Sequence, residues 1–181
     1  SVGMRAPSSA ELIGDYLDDL IDGADEAIRY HDEDLALPKD AYEIDAAAMA
    51  RVVDALNALR MNDPDRLGDW FGRFITHYRS GGEVMSDGEP RSRIEVEWDL
   101  EHGAVLQRHP YTRVAWRRSQ RGATLFCSGV EFALSIKDAQ RLAAAEALDG
   151  TTYAGLGTAG REAALALHAQ GHYQLVTDEE N

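Results

Sequence analysis

The fold of the second half of the chain follows from the stretch RVAWRRSQRGATLFCSGVEFAL, residues 113–134. β-Branched and aromatic residues recur in three short runs, as is typical of strands. Two turn signals, Gln120-Arg121-Gly122 and Ser128-Gly129, separate the runs. The stretch therefore predicts a small antiparallel β-meander.

Helical patterns lie on both sides of the meander. A short helix is predicted at about 92–102, an Ala- and Leu-rich helix from Ser135 to about Leu148, and another from Arg161 to Gln170. Residues 172–176 predict a final strand. Strands, two helices and a closing strand together predict a winged-helix-like domain.

The first half of the chain predicts a small helical bundle. Ser8 and Glu11 form a capping-box pattern before the first helix, a second helix is predicted from about Asp45 to Arg60, and Asp63-Pro64 starts a third. Their apolar stripes are Leu12, Ile13, Tyr16, Leu17, Leu20, Ile21, Ala24 and Ile28, then Met49, Val52, Val53, Leu56 and Leu59, then Leu67, Trp70, Phe71, Phe74, Ile75 and Tyr78. These stripes are wide for so short a bundle, so part of them is expected to cover another chain or domain.

A linker divides the two halves. Gly, Ser and Pro are concentrated in residues 80–90, as is typical of a domain boundary. The predicted organisation is a helical dimerisation region at 1–79, the linker, and a winged-helix-like domain at 91–181. The predicted fold class is α+β, mainly α with a small β-meander.

Charge is distributed unevenly along the 181 residues, whose net charge is −14. Residues 1–105 carry 24 Asp and Glu against 10 Lys and Arg, whereas residues 106–181 carry 8 of each. Such an acidic surface repels phosphate backbones and attracts basic partners, among which ribosomal proteins are prominent. No apolar run approaches the roughly 20 residues that cross a bilayer, and the N-terminus lacks the apolar stretch of a signal peptide. A cytoplasmic protein without membrane contact is predicted.

One glycine-rich loop suggests a cofactor. Residues 155–160, Gly-Leu-Gly-Thr-Ala-Gly, fit the G-x-G-x-x-G pattern of dinucleotide-binding loops. Such a loop needs a strand before it, and after its helix a second parallel strand with an acidic residue. Residues 151–154 make a poor buried strand, and only 21 residues follow Gly160. No cofactor-binding residue is predicted.

Metal binding is suggested by His31-Asp32-Glu33, an H-x-E pair that a distant histidine could complete as a two-His-one-carboxylate iron site. A complete Fe(II) enzyme would use His31 and Glu33. These residues lie in a run of acids that reads as a solvated loop, and the surrounding helices provide no barrel. The remaining histidines, His77, His102, His109, His168 and His172, have no ligand spacing. No metal or catalytic residue is predicted, and the lone Cys127 is expected to be a buried apolar residue.

Basic residues on the meander suggest a nucleic-acid contact. Arg113, Arg117, Arg118 and Arg121, with Arg108 nearby, resemble the basic wing of a winged helix. The predicted recognition helix, residues 161–168, has one arginine, which Glu162 balances. Nucleic acid is therefore not the favoured partner, and a dimeric winged-helix nucleic-acid-binding regulator stays the alternative function.

Four segments, in order, resemble the C-terminal half of the bacterial ribosomal oxygenases, JmjC-type cupin proteins that hydroxylate an arginine of a large-subunit ribosomal protein. They are Gly3–Ser8 for G-F-R-A-P-S, Asp69–Ile75 for W-F-G-x-F, Leu125–Glu131 for L-F-x-N-G-E, and Leu165–Tyr173 for L-x-x-L-x-x-x-G-x-W/Y. Met4 replaces an aromatic residue, and Ser128 replaces the usual Asn, with one residue inserted before Glu131.

The resemblance implies that the parent protein is an enzyme that uses Fe(II) and 2-oxoglutarate. Its H-x-D…H ligands would lie in a barrel upstream of Ser1, so this chain alone is expected to be non-catalytic. The implied role is dimerisation and positioning of a basic ribosomal protein substrate. We expect the homodimer interface on the second and third helices, through Val52, Val53, Leu56 and Phe74.

Overall fold

The computed structural model describes residues 6–24, 42–59, 61–77, 84 and 91–177. The chain divides into two compact units, Ser1–Trp70 and Phe71–Asn181. The helices are α1 (Ser9–Asp22), α2 (Ala46–Ala58), α3 (Pro64–His77), α4 (Arg93–Glu101), α5 (Ile136–Ala144), α6 (Gly150–Ala154) and α7 (Thr158–Ala169). The strands are β1 (Val105–Arg108), β2 (Val114–Ser119), β3 (Gly122–Cys127), β4 (Val130–Leu134), β5 (Ala147–Leu148) and β6 (Tyr173–Val176). The α+β class is confirmed.

The first unit is built around the start of α1 and the aromatic residues that pack on it. Ser8 and Glu11 form the predicted capping box, with both reciprocal hydrogen bonds present. Tyr16 packs against Trp70 with ring centroids 4.8 Å apart. The Tyr16 hydroxyl donates to the Met61 carbonyl at 2.8 Å. The indole N–H of Trp70 donates to Asp15 at 2.7 Å, so both polar aromatic groups are satisfied where they are packed.

Arg66 satisfies the end of α1. Its guanidinium donates to the carbonyls of Asp19 and Leu20, at 3.3 and 3.4 Å. The last carbonyls of a helix lack partners within the helix, so this arginine completes the C-terminus of α1. Gly23 lies close to the Arg66 guanidinium: a Cβ added to this glycine would be 2.8 Å from Nη2 of Arg66.

The second unit contains two antiparallel sheets and the main hydrophobic core. One sheet has the order β2-β3-β4 and is the predicted meander, and the other has the order β5-β1-β6. Leu106 of β1 pairs with Leu148 on one side and with Leu175 on the other. The fully buried side chains that join the sheets to the helices include Val96, Leu106, Leu125, Leu142, Leu148, Leu167 and Tyr173.

The predicted end of the helix after the meander was wrong. The helix expected to run to about Leu148 ends at Ala144, because Ala147 and Leu148 form β5 and pair with Gln107 and Leu106. Residues 151–154, judged from sequence to be unsuited to a buried strand, indeed form no strand: they belong to the short helix α6, which Asp149 caps through the backbone N–H of Thr152. The strand β5 depends on a long-range strand pairing that local propensity does not encode, whereas the cap of α6 is local.

The division between the two units falls inside α3. The residues of the predicted linker, 80–90, lie outside the described residues apart from Val84. The domain limits 1–79 and 91–181 therefore stay a prediction. The residues of α3 from Phe71 onward count with the second unit because they pack on the meander.

Candidate functional site

Helix α2 has an apolar face that stays exposed among the described residues of the chain. Met49, Val52, Val53 and Leu56 recur at i, i+3, i+4 and i+7, so they share one face of the helix. Their side chains are 43–52% exposed, and none of the residues of α2 is buried. Apolar surface contributes about 25 cal/mol per Å² when it leaves water, so this face is a strong candidate for association.

The other helices of the first unit also expose apolar side chains. On α1, Ile13 and Ile21 are 60% and 65% exposed, whereas Tyr16 and Leu20 on the neighbouring face are buried. Phe74, predicted at the interface with Val52, Val53 and Leu56, is only 8% exposed. Its side chain is covered within the chain itself and offers little surface to a partner. The predicted interface residues that are available therefore lie on α2.

Two of the segments that carry the family resemblance, Asp69–Ile75 and Leu125–Glu131, contact each other. A Cβ added to Gly72 would be 2.3 Å from the Phe126 ring, so the ring lies directly on the backbone of α3. The buried Thr76 hydroxyl accepts a hydrogen bond from the backbone N–H of Gly129 at 3.0 Å. Arg73 pairs with Glu131 at 3.0 Å. Residues of W-F-G-x-F thus dock on residues of the L-F strand-turn, which explains why these residue types occur together.

The turn of that second segment has a backbone that restricts its sequence. Ser128 and Gly129 both have positive φ, 47° and 91°, as a two-residue hairpin turn with right-handed strand twist requires. Glycine adopts this conformation without cost, and asparagine tolerates it better than serine.

The G-x-G-x-x-G loop is occupied by protein and not shaped for a nucleotide. Buried Asp138 accepts hydrogen bonds from the Ser135 hydroxyl at 2.9 Å and from the Gly157 N–H at 3.3 Å. A Cβ on Gly157 would be 2.9 Å from the Asp138 carboxylate, and one on Gly160 would be 3.1 Å from its Cγ. The glycines allow α5 and α7 to approach, and the α7 N-terminus is capped by a carboxylate from the same unit.

The described histidines have packing or surface roles. His102 stacks on Trp98, His168 contacts the Tyr173 carbonyl through Nδ1 at 2.8 Å, and His172 contacts the Thr112 hydroxyl at 3.1 Å. Among residues 6–24, 42–59, 61–77, 84 and 91–177, no group of three His, Cys, Asp or Glu could hold a metal ion. The described residues therefore do not provide the ligand set of an iron site. His31 and Glu33 lie outside the described residues.

Cys127 is buried, as predicted, and its environment suppresses reactivity. Its side chain is 0% exposed, and burial raises the pKa of the thiol to about 12. Because the thiolate is the nucleophile, we expect the folded chain to resist an aromatic disulfide reagent at mildly alkaline pH. The thiol should react at once in denaturant, and an exposed control, Ser119→Cys, should react in the folded state. Rapid labelling of the folded wild type would contradict the buried position.

His172 makes the stability of the second unit depend on pH. Burial lowers the pKa of His172, and the nearby His109 lowers it further. The unfolded chain therefore binds this proton at a higher pH than the folded chain. Stability should be constant above about pH 6.5 with respect to this group and should fall as the pH decreases toward the folded value. In urea titrations across this range, the free energy of unfolding of His172→Gln should depend less on pH than that of the wild type. An unchanged pH dependence would mean that another group causes it.

The outer face of α7 lacks the groups that read DNA. Its exposed residues are Thr158, Ala159, Glu162 and Ala169. None can donate to guanine as arginine or lysine does, and Glu162 repels phosphates. This composition counts against sequence-specific DNA binding through α7.

Comparison with known proteins decides the family. Residues 58–174 match the protein family described as ROXA-like winged helix. The chain belongs to the ROXA-like winged-helix family. The match begins at the end of α2 and includes all of α3, in agreement with the packing of α3 on the meander. The resemblance seen in the sequence is thus confirmed.

One curated protein and two solved structures from Escherichia coli are similar to this chain. The ribosomal protein uL16 3-hydroxylase of strain K12 is 30% identical over 111 residues, which are 60% of this chain and 29% of that protein. The X-ray structure of E. coli ycfD matches with a TM-score of 0.77 at 22% identity, covering 95% of this chain and 46% of that one. YcfD, a ribosomal oxygenase, in complex with cobalt and 2-oxoglutarate, matches with a TM-score of 0.73 at 23% identity, covering 96% and 47%.

These likenesses establish the fold along nearly the whole chain. The chain spans less than half the length of the solved relatives. No helix in the described part of the chain has both the length and the apolar character needed to span a bilayer.

Proposed function

We propose that the chain is the non-catalytic dimerisation and substrate-positioning region of an Fe(II)/2-oxoglutarate-dependent ribosomal-protein arginine hydroxylase whose catalytic barrel precedes it. The observation that carries the proposal is the exposed apolar face of α2, four large side chains in line with no buried residue on the helix. In a two-fold dimer the same face of each chain packs against its copy on the other chain. One apolar stripe per chain is then sufficient to form the interface.

The relatives support the cofactors proposed for the parent protein. A structure of a related ribosomal oxygenase is described with cobalt and 2-oxoglutarate, and cobalt in such a site stands in for another divalent metal. Fe(II) and 2-oxoglutarate would be bound by the barrel and not by the described residues of this chain. The natural location of such a protein is the cytoplasm.

The charge of the chain supports a basic partner. The 24 acidic residues in positions 1–105 exceed the 10 basic ones, and a ribosomal protein carries the opposite charge. The related curated enzyme acts on a ribosomal protein, as its name states. In the proposed assembly the acidic region attracts the substrate and raises its concentration beside the barrel.

Turnover by the isolated chain tests the assignment of catalysis. With Fe(II), 2-oxoglutarate and a basic ribosomal protein, we expect succinate formation no higher than without the chain. Turnover that His31→Ala abolishes would overturn the proposal and favour a complete enzyme in these residues.

Binding tests the positioning role separately. The chain should bind a basic ribosomal protein in low salt and lose affinity steeply as salt is added, since exposed charges are screened within about 10 Å at 0.1 M. Absence of binding in low salt would contradict substrate positioning while leaving dimerisation standing.

A further inference from the structure

A long positively charged segment runs from β1 through the meander. Between Glu101 and Glu131 there are five arginines and no acidic residue. The chain as a whole carries −14, so the remaining residues carry −19. A basic segment inside so acidic a chain is not explained by solubility or by the attraction of a basic substrate.

The fold collects part of this charge at one turn. Arg118 begins the exposed end of β2, and Arg121 lies in the turn that leads into β3; both are exposed. The exposed Lys137 lies in the first turn of α5, which follows directly on the end of β4, and that end of β4 pairs with β3 beside the turn. A Cβ on Gly122 would be 2.6 Å from the Leu134 carbonyl oxygen and 4.0 Å from the Ser135 Cα. We call Arg118, Arg121 and Lys137 the basic turn.

The acidic residues nearest in sequence do not neutralise the basic turn. Glu131 lies at the opposite end of β4, paired in register with Phe126, and forms an ion pair with Arg73. Asp138 is 6% exposed and accepts hydrogen bonds from Ser135 and Gly157. In the part of the chain that the structure describes, neither Arg118 nor Arg121 pairs with a carboxylate.

The basic turn has the chemistry of a phosphate-binding surface. The Arg118 guanidinium lies over the Trp116 ring, 5.9 Å from its centroid, and this cation–π contact restricts the conformations of the exposed side chain. Guanidinium groups bind phosphate oxygens with paired hydrogen bonds. Charges farther away than about 8 Å are largely screened at physiological salt, so the local charge and not the net charge governs such a contact.

We propose that the basic turn binds the phosphate backbone of RNA, independently of base sequence. The choice of RNA rests on the proposed function, because a ribosomal protein substrate is a component of an RNA particle. The face of α7 lacks base-reading groups, so the contact would orient the enzyme on RNA near its substrate and would not select a sequence. This is a different surface and a different ligand from the acidic region that attracts the substrate.

Fluorescence polarisation of a short labelled RNA hairpin with the full chain tests the proposal. Affinity should fall with salt, with a logarithmic slope of about −2 to −3 for two to three phosphate contacts. The double variant Arg118→Glu, Arg121→Glu should weaken binding at least tenfold in low salt and reduce the slope by about 2. The control is Arg91→Glu, Arg93→Glu at the start of α4, which makes the same change in net charge at two exposed arginines that pair with Asp99 and Glu97, and it should bind like wild type.

Each other outcome overturns the proposal. Wild type that does not bind RNA in low salt, or a control double variant as weak as the basic-turn variant, would mean that no local site exists. If poly-glutamate of matched charge competed as well as RNA, the basic turn would be a site for an acidic protein. If the chain preferred a DNA duplex of the same length, the alternative function of a nucleic-acid-binding regulator would be favoured. Circular dichroism verifies that each variant folds. Loss of the RNA-binding proposal would not change the oligomeric state of the chain. The mass of the chain in solution therefore distinguishes this failure from failure of the proposed function.

Discussion

Gly72→Ala should destabilise the Phe71–Asn181 unit by about 2 kcal/mol. The added methyl group would lie 2.3, 2.4 and 2.5 Å from three atoms of the Phe126 ring. Phe126 is 1% exposed, so the ring cannot move aside into solvent. Overpacking of this kind costs about 1–3 kcal/mol. We expect a cost near the upper end of this range because the added methyl group would overlap a rigid ring, and neither the ring nor the helix backbone can easily move. The gain of about 1 kcal/mol in helix propensity offsets part of the cost.

Gly14→Ala is the matched control. It makes the same substitution inside α1, where a Cβ would meet nothing within 4 Å, so it should stabilise the protein by up to about 1 kcal/mol. Urea unfolding of both variants gives the comparison. In addition, Phe126→Leu combined with Gly72→Ala should show a favourable coupling between the two sites. If Gly72→Ala stabilised the chain as Gly14→Ala does, the docking of α3 on the meander would be refuted.

Leu56→Asp should convert the dimer to a folded monomer. Leu56 is 52% exposed within one chain, so an aspartate there is solvated in the monomer and does not disturb the fold. In the proposed dimer the same carboxylate would be buried without a partner, at a cost of about 3–5 kcal/mol. That cost corresponds to a loss of affinity of at least a hundredfold. Sedimentation velocity over a concentration series measures the shift.

Ala50→Asp is the control for that experiment. It adds the same charge to α2 near the side of Asp54, away from the stripe of Met49, Val52, Val53 and Leu56, and should leave association unchanged. Circular dichroism should match wild type for both variants. A Leu56→Asp chain that remained dimeric would place the interface on another face, such as that of Ile13 and Ile21 on α1.

The parts of the fold that sequence predicted are those with a local physical cause. The capping box of Ser8 and Glu11 fixes the start of α1, and Asp63-Pro64 fixes the start of α3. The Ser128-Gly129 turn, with its positive φ values, fixes the β3–β4 hairpin. Each of these features depends on neighbours within a few residues, so the pattern alone is sufficient.

The parts that sequence did not predict depend on distant partners. Ala147-Leu148 have helix-forming residue types, and only pairing with β1 makes them a strand. The burial of Phe74 and the docking of α3 on the β3–β4 hairpin likewise follow from tertiary packing. A contact between Gly72 and Phe126 joins positions far apart in the chain, and the only signal was that both lie in patterned segments.

The candidate site shows the same division. The apolar stripe of α2 was readable from its spacing, whereas its exposure required the structure. The glycines of residues 155–160 fit a nucleotide motif in sequence, and only the position of Asp138 reveals that they serve the packing of α5 and α7. A glycine motif in sequence shows only where another group can approach the backbone closely. That group can belong to a ligand or to a side chain of the same protein.

Static light scattering of the wild-type chain over a micromolar concentration series tests the central claim most directly. We predict a mass approaching twice the 19.9 kDa of one chain as concentration rises, with the thermal midpoint increasing in parallel, because association stabilises the folded state. A fully folded chain that stays at 19.9 kDa throughout the series would contradict the dimerisation role.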